Sequence, residues 1–434
     1  MKLKHMIGAA CLVVGSTNIA FAQIPEKLAE DAYLYAYSMD EAYQFFYETA
    51  VKPDYPLNRF QNIRNLADDT YTAHPTINND TLHLMGWLDV AQEPVIVSVP
   101  NMNDDRYWIL HTMDMGHYTD SMFGSRTRGK EGGQFMYASP TWKGEVPASV
   151  DEVVRVDSNF VKLMGRIMAN GPEDTQIAQS YMDQWNIRTL SEYLGKNGPK
   201  PLVRHYPDPA TSTWLETTNF VLCEGNLAQA DKQWLQQYKS VGLEACKYEF
   251  NNEQLKMQTI GKEQGLKRIA ELSNKVTDAR LILGTRKSLG DSERGIFSVG
   301  TYVGQWGLPP EEAAYRKLEK DPQGNKLNGE KHSYTMRFKA PDVSEFWSVT
   351  VYGADNRLMA KNDLNRHSRG DRTLTADKDG YYTITLSADE KANKNKSNYL
   401  PIPEKDFYLV MRLYGASESV QKGDYQMPEA TISK

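Results

Sequence analysis

Three groups of residues in this sequence have the types and spacing to do chemistry. The first is Asn79-Asp80 with His83, flanked by His74 and Pro75 just before an apolar run. An Asp close to a His can orient a base, move a proton or hold a divalent metal. Asp80 and His83 are therefore the candidate catalytic pair, and Asn79 is a candidate substrate contact. The alternative is an Asx-turn or helix cap, in which Asp80 only holds its own backbone. The second group is His111-Thr-Met-Asp114-Met-Gly-His117. His111, Asp114 and His117 are candidate metal ligands, although their spacing is not a helical ligand motif. On a strand, His111 and His117 would share a face and Asp114 would point to the other.

Arginines form the third group. Arg126 and Arg128 lie between Gly124 and Gly129, where guanidinium forks and backbone N–H groups could converge on an anion. Arg412 sits in Phe407 to Tyr414, a run apolar on both alternating sets, which reads as a central strand. An arginine there must either pair with a buried carboxylate or face a cleft, because an unpaired buried charge is costly. Trp347 completes the candidate substrate-binding set. No Gly-x-Ser-x-Gly elbow occurs; Arg126 and Thr127 follow Ser125 where its second half would lie.

The elements that must position these residues follow from hydrophobic period. Residues 25–50 are expected to be helical, with Leu28, Ala32, Tyr35, Met39, Ala42 and Phe46 on one face. Residues 94–100, 106–111, 134–138 and 153–156 read as strands, and 161–168 as helix, with another helix from about 173. The stretches 227–239, 253–273 and 311–318 have helical period, the last preceded by Pro309 as a helix start. From Ser333 the chain returns to strands at 334–339, 346–352, 381–386 and 407–414, with Asp379-Gly380 as a hairpin turn. This order argues an α+β fold: two β-rich modules, the C-terminal one a sandwich, with an intervening helical region. The expected divisions are an N-terminal helical segment over 23–66, β-rich 67–205, helical 206–325 and the β-sandwich over 326–434.

Residues 1–22 read as a secretory signal. Lys2 and Lys4 precede a short apolar run, and Ala20-Phe21-Ala22 offers a small-x-small cleavage site. The expected location is periplasmic or secreted, and no later segment reads as a transmembrane anchor. The net charge of −6 becomes more negative once the two lysines are removed, which argues against nucleic acid as a partner. In an oxidising compartment Cys223 and Cys246 could pair, or remain two free thiols. The 25 Tyr and 8 Trp suit wet-edged β-sheets, or clefts that bind sugars and rings.

Further motifs carry a family resemblance. Asn78-Asn79-Asp80-Thr81, Trp87-Leu88-Asp89, Glu93-Pro94-Val95, Gly124-Ser125-Arg126-Thr127 and Gly171-Pro172-Glu173-Asp174 resemble the module called domain of unknown function 1254. Phe346-Trp347-Ser348-Val349-Thr350, Asn398-Tyr399-Leu400-Pro401 and Arg412-Leu413-Tyr414-Gly415 resemble its usual partner, domain of unknown function 1214. The resemblance implies two β modules, the C-terminal one jelly-roll-like, and no agreed activity. His83 stands where that family usually carries Tyr.

Two functional expectations follow. The preferred one is an exported, hydrolase-like enzyme, with or without a divalent metal as cofactor, acting on a small anionic molecule such as a phosphate or carboxyl ester. The other is a non-catalytic binding or envelope-interaction protein for carbohydrate or protein ligands. Any pocket is expected where the two β modules meet, because clefts favour domain interfaces.

Overall fold

A computed structural model describes residues 24–72, 75–276, 278–290 and 293–433. The expected signal segment lies outside the described residues, as does His74. The helix α1, Glu26–Phe46, is buried almost all round, with Ala29, Ala32, Tyr33, Tyr35, Ala36, Met39, Ala42 and Phe46 inside. A helix apolar on every side belongs in a core. It is embraced by the helices Trp214–Cys223, Asn252–Ser273 and Arg294–Gly304. The close crossing with Asn252–Ser273 needs a glycine: a Cβ at 261 would run into the Ala29 carbonyl oxygen. Cys223 and Cys246 form a disulfide within this helical layer.

Two sandwiches flank that layer. In the N-terminal one, strands β1 (Gln61–Ile63), β2 (Thr81–Asp89), β4 (Trp108–Asp114), β5 (Thr119–Gly124) and β8 (Phe160–Met168) form a sheet in the order β1-β2-β8-β4-β5. Its partner sheet is β7-β6-β3-β9, built from β3 (Val95–Val99), β6 (Gly133–Ala138), β7 (Glu152–Arg155) and β9 (Asn186–Thr189). Leu82, Leu84, Leu110, Leu163, Val97 and Phe135 fill the space between them.

The C-terminal sandwich has one sheet ordered β10-β16-β12-β13, from β10 (Ala313–Leu318), β12 (Val343–Gly353), β13 (Ser368–Gly370) and β16 (Phe407–Ala416). The other is β15-β14-β11-β17, from β11 (Tyr334–Lys339), β14 (Tyr381–Ser387), β15 (Tyr399–Pro401) and β17 (Thr431–Ile432). The α+β class with two β-rich modules and a helical middle is therefore what the chain adopts.

Two expected helices are strands. Residues 161–168 lie in β8, the middle strand of the first sheet. Val161 and Leu163 face the sandwich core, and Lys162, Met164 and Arg166 face the other way. Both faces are covered, so apolar residues appear at every offset and the period no longer separates strand from helix. Residues 313–318 form β10, paired along its length with β16. Glu-Glu-Ala-Ala favours helix intrinsically, and pairing with a finished sheet edge overrides that preference.

The modules meet through the outer face of each first sheet. Phe346 and Tyr414 stack at 4.1 Å, with Tyr107 against Tyr414 at 5.1 Å. Burying each such ring stabilises by roughly 2 kcal/mol. Among the described residues no helix is long and apolar enough to cross a membrane.

Candidate functional site

The Asn-Asn-Asp-Thr segment is a strap between the modules. Asn78 turns back on its own chain: its Oδ1 accepts from the backbone N–H of Asp80 and of Thr81. Its amide donates to the Tyr414 hydroxyl on β16. Asn79 donates to the Ala67 carbonyl and accepts from Ser368 Oγ at 3.1 Å. Asp80 crosses the junction, its Oδ2 accepting from Ser348 Oγ on β12 at 2.8 Å. The turn is made by Asn78 and not by Asp80, whose carboxylate reaches towards the second module.

Asp80 borders a cleft of 360 Å³ between the modules. Asn79, Asp80 and Gly171 come from one side, and Ser348, His367 and Arg369 from the other. Burial raises the Asp80 carboxyl above the ordinary aspartate value; the Arg412 charge and the Ser348 bond oppose it. Burial thus favours the protonated acid, and Arg412 and Ser348 favour the carboxylate. Arg366, Arg369 and Arg372 line the same cleft. Arg369 donates to the Tyr399 carbonyl at 3.3 Å, and burial, then the neighbouring Arg366 charge, push it down to about 10. An anion entering the cleft would relieve that repulsion. His367 is buried, with Nε2 2.9 Å from Asn365 Oδ1, and burial lowers its pKa.

Other expected site residues lie elsewhere. His83 does not bond to Asp80. Its Nε2 lies 3.5 Å from Thr81 Oγ1, and it pairs across the sheet with Arg166. Burial, then the Arg166 charge, push it down to about 3, so it is neutral. Trp347 borders the cleft, yet its ring packs into the sandwich core against Phe338 at 5.2 Å and Tyr382 at 5.0 Å. Strand alternation explains this, since Ser348 takes the outward face.

The expected ligands His111, Asp114 and His117 do not converge. His111 Nε2 meets Thr119 Oγ1 at 3.0 Å. Asp114 accepts from Arg286 Nε at 2.8 Å and from the backbone N–H of Gly116 and Tyr118. The His117 ring stacks on Trp306 at 4.2 Å, with Nδ1 3.2 Å from Thr301 Oγ1. Among the described residues no three His, Cys, Asp or Glu side chains form a group able to hold a metal ion.

Nor do the expected arginines open onto the cleft. Residues Ser125–Arg128 form a helical turn in which Arg126 pairs with buried Glu312 at 2.7 Å, clasping the modules together. Arg128 donates to the Gly132 carbonyl and lies over Phe135. Arg412 is buried at the junction, where its charge acts on Asp80 of the other module, and it is not among the residues lining the cleft. It donates to Thr350 Oγ1 at 3.0 Å, the Tyr352 hydroxyl at 2.8 Å and the Thr76 carbonyl at 2.9 Å, fastening the strap.

Sequence reading missed Ser348 and the basic run Arg366-His-Ser-Arg369-Gly-Asp-Arg372. Three arginines at three-residue spacing beside a glycine were visible. Their place in the cleft that Asp80 borders was not, because it depends on β13 pairing with β12.

Comparison with known proteins agrees with this architecture. Two family models match, each described as a protein of unknown function: DUF1254 over residues 57–189 and DUF1214 over 312–418. The solved VPA0106 protein from Vibrio parahaemolyticus is 66% identical, with 94% of this chain and 100% of that chain covered and a TM-score of 0.88. An uncharacterized protein from Burkholderia cenocepacia is 13% identical over 93% of this chain and 88% of that one, with a TM-score of 0.46. No curated protein matches.

Proposed function

We propose a function from the premise that the chain belongs to the family joining DUF1254 to DUF1214: the junction cleft binds a small anionic molecule and hydrolyses an ester bond in it. The carrying observation is a buried carboxyl, Asp80, lining with three arginines a single cleft built by both modules. Arg366, Arg369 and Arg372 neutralise the phosphate or carboxylate. Asn79 orients it. Ionised Asp80 takes a proton from water as the water adds to the ester, and returns it to the departing alcohol as the ester bond breaks. Ser348 holds Asp80 in place.

A second reading is a non-catalytic binding or envelope-interaction protein. It is favoured by the separation of His83 from Asp80, which leaves Asp80 without a bonded histidine among the described residues. We also propose export to the periplasm or beyond, supported by the signal-like residues 1–22 and by the Cys223–Cys246 pair.

The test pairs thermal shift with turnover. Inorganic phosphate and acetate should stabilise the protein, by about 2.7 kcal/mol at 100 times the dissociation constant. Arg369→Gln should lose that shift. Release of p-nitrophenol from its phosphate or acetate ester, abolished in Asp80→Asn, supports the enzyme. Saturable binding without product supports the second reading, and neither anion binding refutes the cleft assignment.

A further inference from the structure

The arrangement of charge on the cleft wall narrows what the cleft can accept. Arg369 lies on β13, and Arg366 on the loop that leads into it. Both side chains reach the same atom. Arg366 Nη1 and Arg369 Nε each donate to the Tyr399 carbonyl oxygen at 3.3 Å. The two nitrogens are therefore no further apart than twice that distance. Arg366 Nη1 also donates to the Lys396 carbonyl at 3.3 Å. These bonds are long for N–H···O, so anchoring β15 does not account for two cations.

No carboxylate completes either group. Arg106, Arg126, Arg204 and Arg286 each meet one at 2.5–2.8 Å. Arg366 and Arg369 form no ion pair among the described residues. The Glu390 charge acts on Arg366 only from a distance, and Arg369 feels burial and the Arg366 charge. Asp80 and Glu173, the carboxylates on the cleft wall, are paired with neither. Both arginines are half-buried. Arg366 Nε and Nη2 and Arg369 Nη1 and Nη2 have no partner among the described residues, and none of the four is sealed from solvent. Arg372, exposed, adds a third charge on the same wall.

We propose that the junction cleft selects a doubly charged phosphoryl head, held between Arg366 and Arg369, and that its substrate is a small phosphate monoester in preference to a carboxyl ester. This rests on the anion-binding reading of the cleft. Two like charges held this close repel each other until a double negative charge joins them. A phosphate monoester carries nearly two charges near neutrality and three acceptor oxygens, enough for both guanidinium groups. A carboxylate carries one charge and neutralises one of them. A dicarboxylate brings two charges on separated groups, whereas the shared Tyr399 oxygen holds these cations together. The cleft measures 360 Å³, and Leu66, Met168, Phe346 and Leu364 make the rest of its wall apolar in part, which suits a short apolar alcohol portion.

Calorimetry on the purified chain at pH 8 tests this with four anions. Methyl phosphate is a dianion there. Dimethyl phosphate has the same tetrahedral head with one charge, acetate is a monoanionic carboxylate, and malonate is a dicarboxylate. Methyl phosphate should bind at least about tenfold more tightly than each of the other three. Arg366→Gln and Arg369→Gln should each remove most of that preference, and weaken dimethyl phosphate and acetate less. If Arg369→Gln fails to fold, Arg366→Gln still decides, because Arg366 is the less buried of the two. Equal affinity for methyl phosphate and acetate, or malonate binding as tightly as methyl phosphate, would overturn the inference and leave the anion-binding cleft standing. A preference unmoved by Arg366→Gln would overturn it as well. If none of the four anions binds, the cleft reading itself falls and this inference falls with it.

Discussion

Replacing Lys162 by methionine should stabilise this protein and remove a specific part of its pH dependence. Burial pushes the Lys162 ammonium down from 10.5 to about 7. An unfolded chain holds that proton up to pH 10.5, and the folded chain releases it near 7. Between those values the unfolded state binds more protons, so stability rises with pH across the window. Below about pH 7 both states are charged and the full burial penalty is felt. Each pKa unit is worth 1.36 kcal/mol, so the shift corresponds to about 5 kcal/mol at most, and to roughly half that if the site relaxes. Urea unfolding of the wild type and Lys162→Met at pH 6, 7, 8 and 9 isolates this term, because the other titrating groups are common to both. The variant should be more stable by a few kcal/mol at pH 6, with the gap closing steadily towards pH 9. A gap that is constant with pH, or a variant less stable at pH 6, would refute the reasoning.

Arg412→Met should cost roughly 3 kcal/mol, because the hydroxyls and carbonyls it satisfies stay buried without it; the melting temperature reads the loss, and faster proteolysis at residues 76–80 should accompany it. Reducing the Cys223–Cys246 disulfide should lower stability by about 3 kcal/mol, from the freed loop of the unfolded chain; scans with and without reductant measure this.

The strands were most legible where one face is wet. Tyr334 to Lys339 alternates buried and less buried residues, and β11 occupies that segment. β8 hid its nature because tertiary structure covers both sides, and β10 because a helix-favouring segment completes a sheet edge. The candidate site was legible only in part. Asp80 could be singled out from its own neighbours, and it does border a cleft between the modules. Its partner Ser348 lies on another module and carries no local signature of a role. Arg412 was recognisable as a buried arginine in a central strand, but its partners, the Thr350 and Tyr352 hydroxyls and the Thr76 carbonyl, are brought to it by the fold and carry no local signature of pairing with an arginine. Metal ligation failed as a reading because Asp114 and His117 were already engaged by the helical layer.

The strap at residues 76–80 has a consequence for how the molecule must be assembled. Asp80 belongs to one module, while the groups that bury it and hold it, Ser348 and Arg412, arrive more than two hundred residues later in the chain. Neither half carries a finished site. A newly made N-terminal portion would present Asp80 to water as an ordinary acid, and the proposed anion binding and hydrolysis would begin only on docking. Two separately expressed fragments should accordingly be inert alone and regain function on mixing, so that completion of the fold itself acts as the switch that turns the site on.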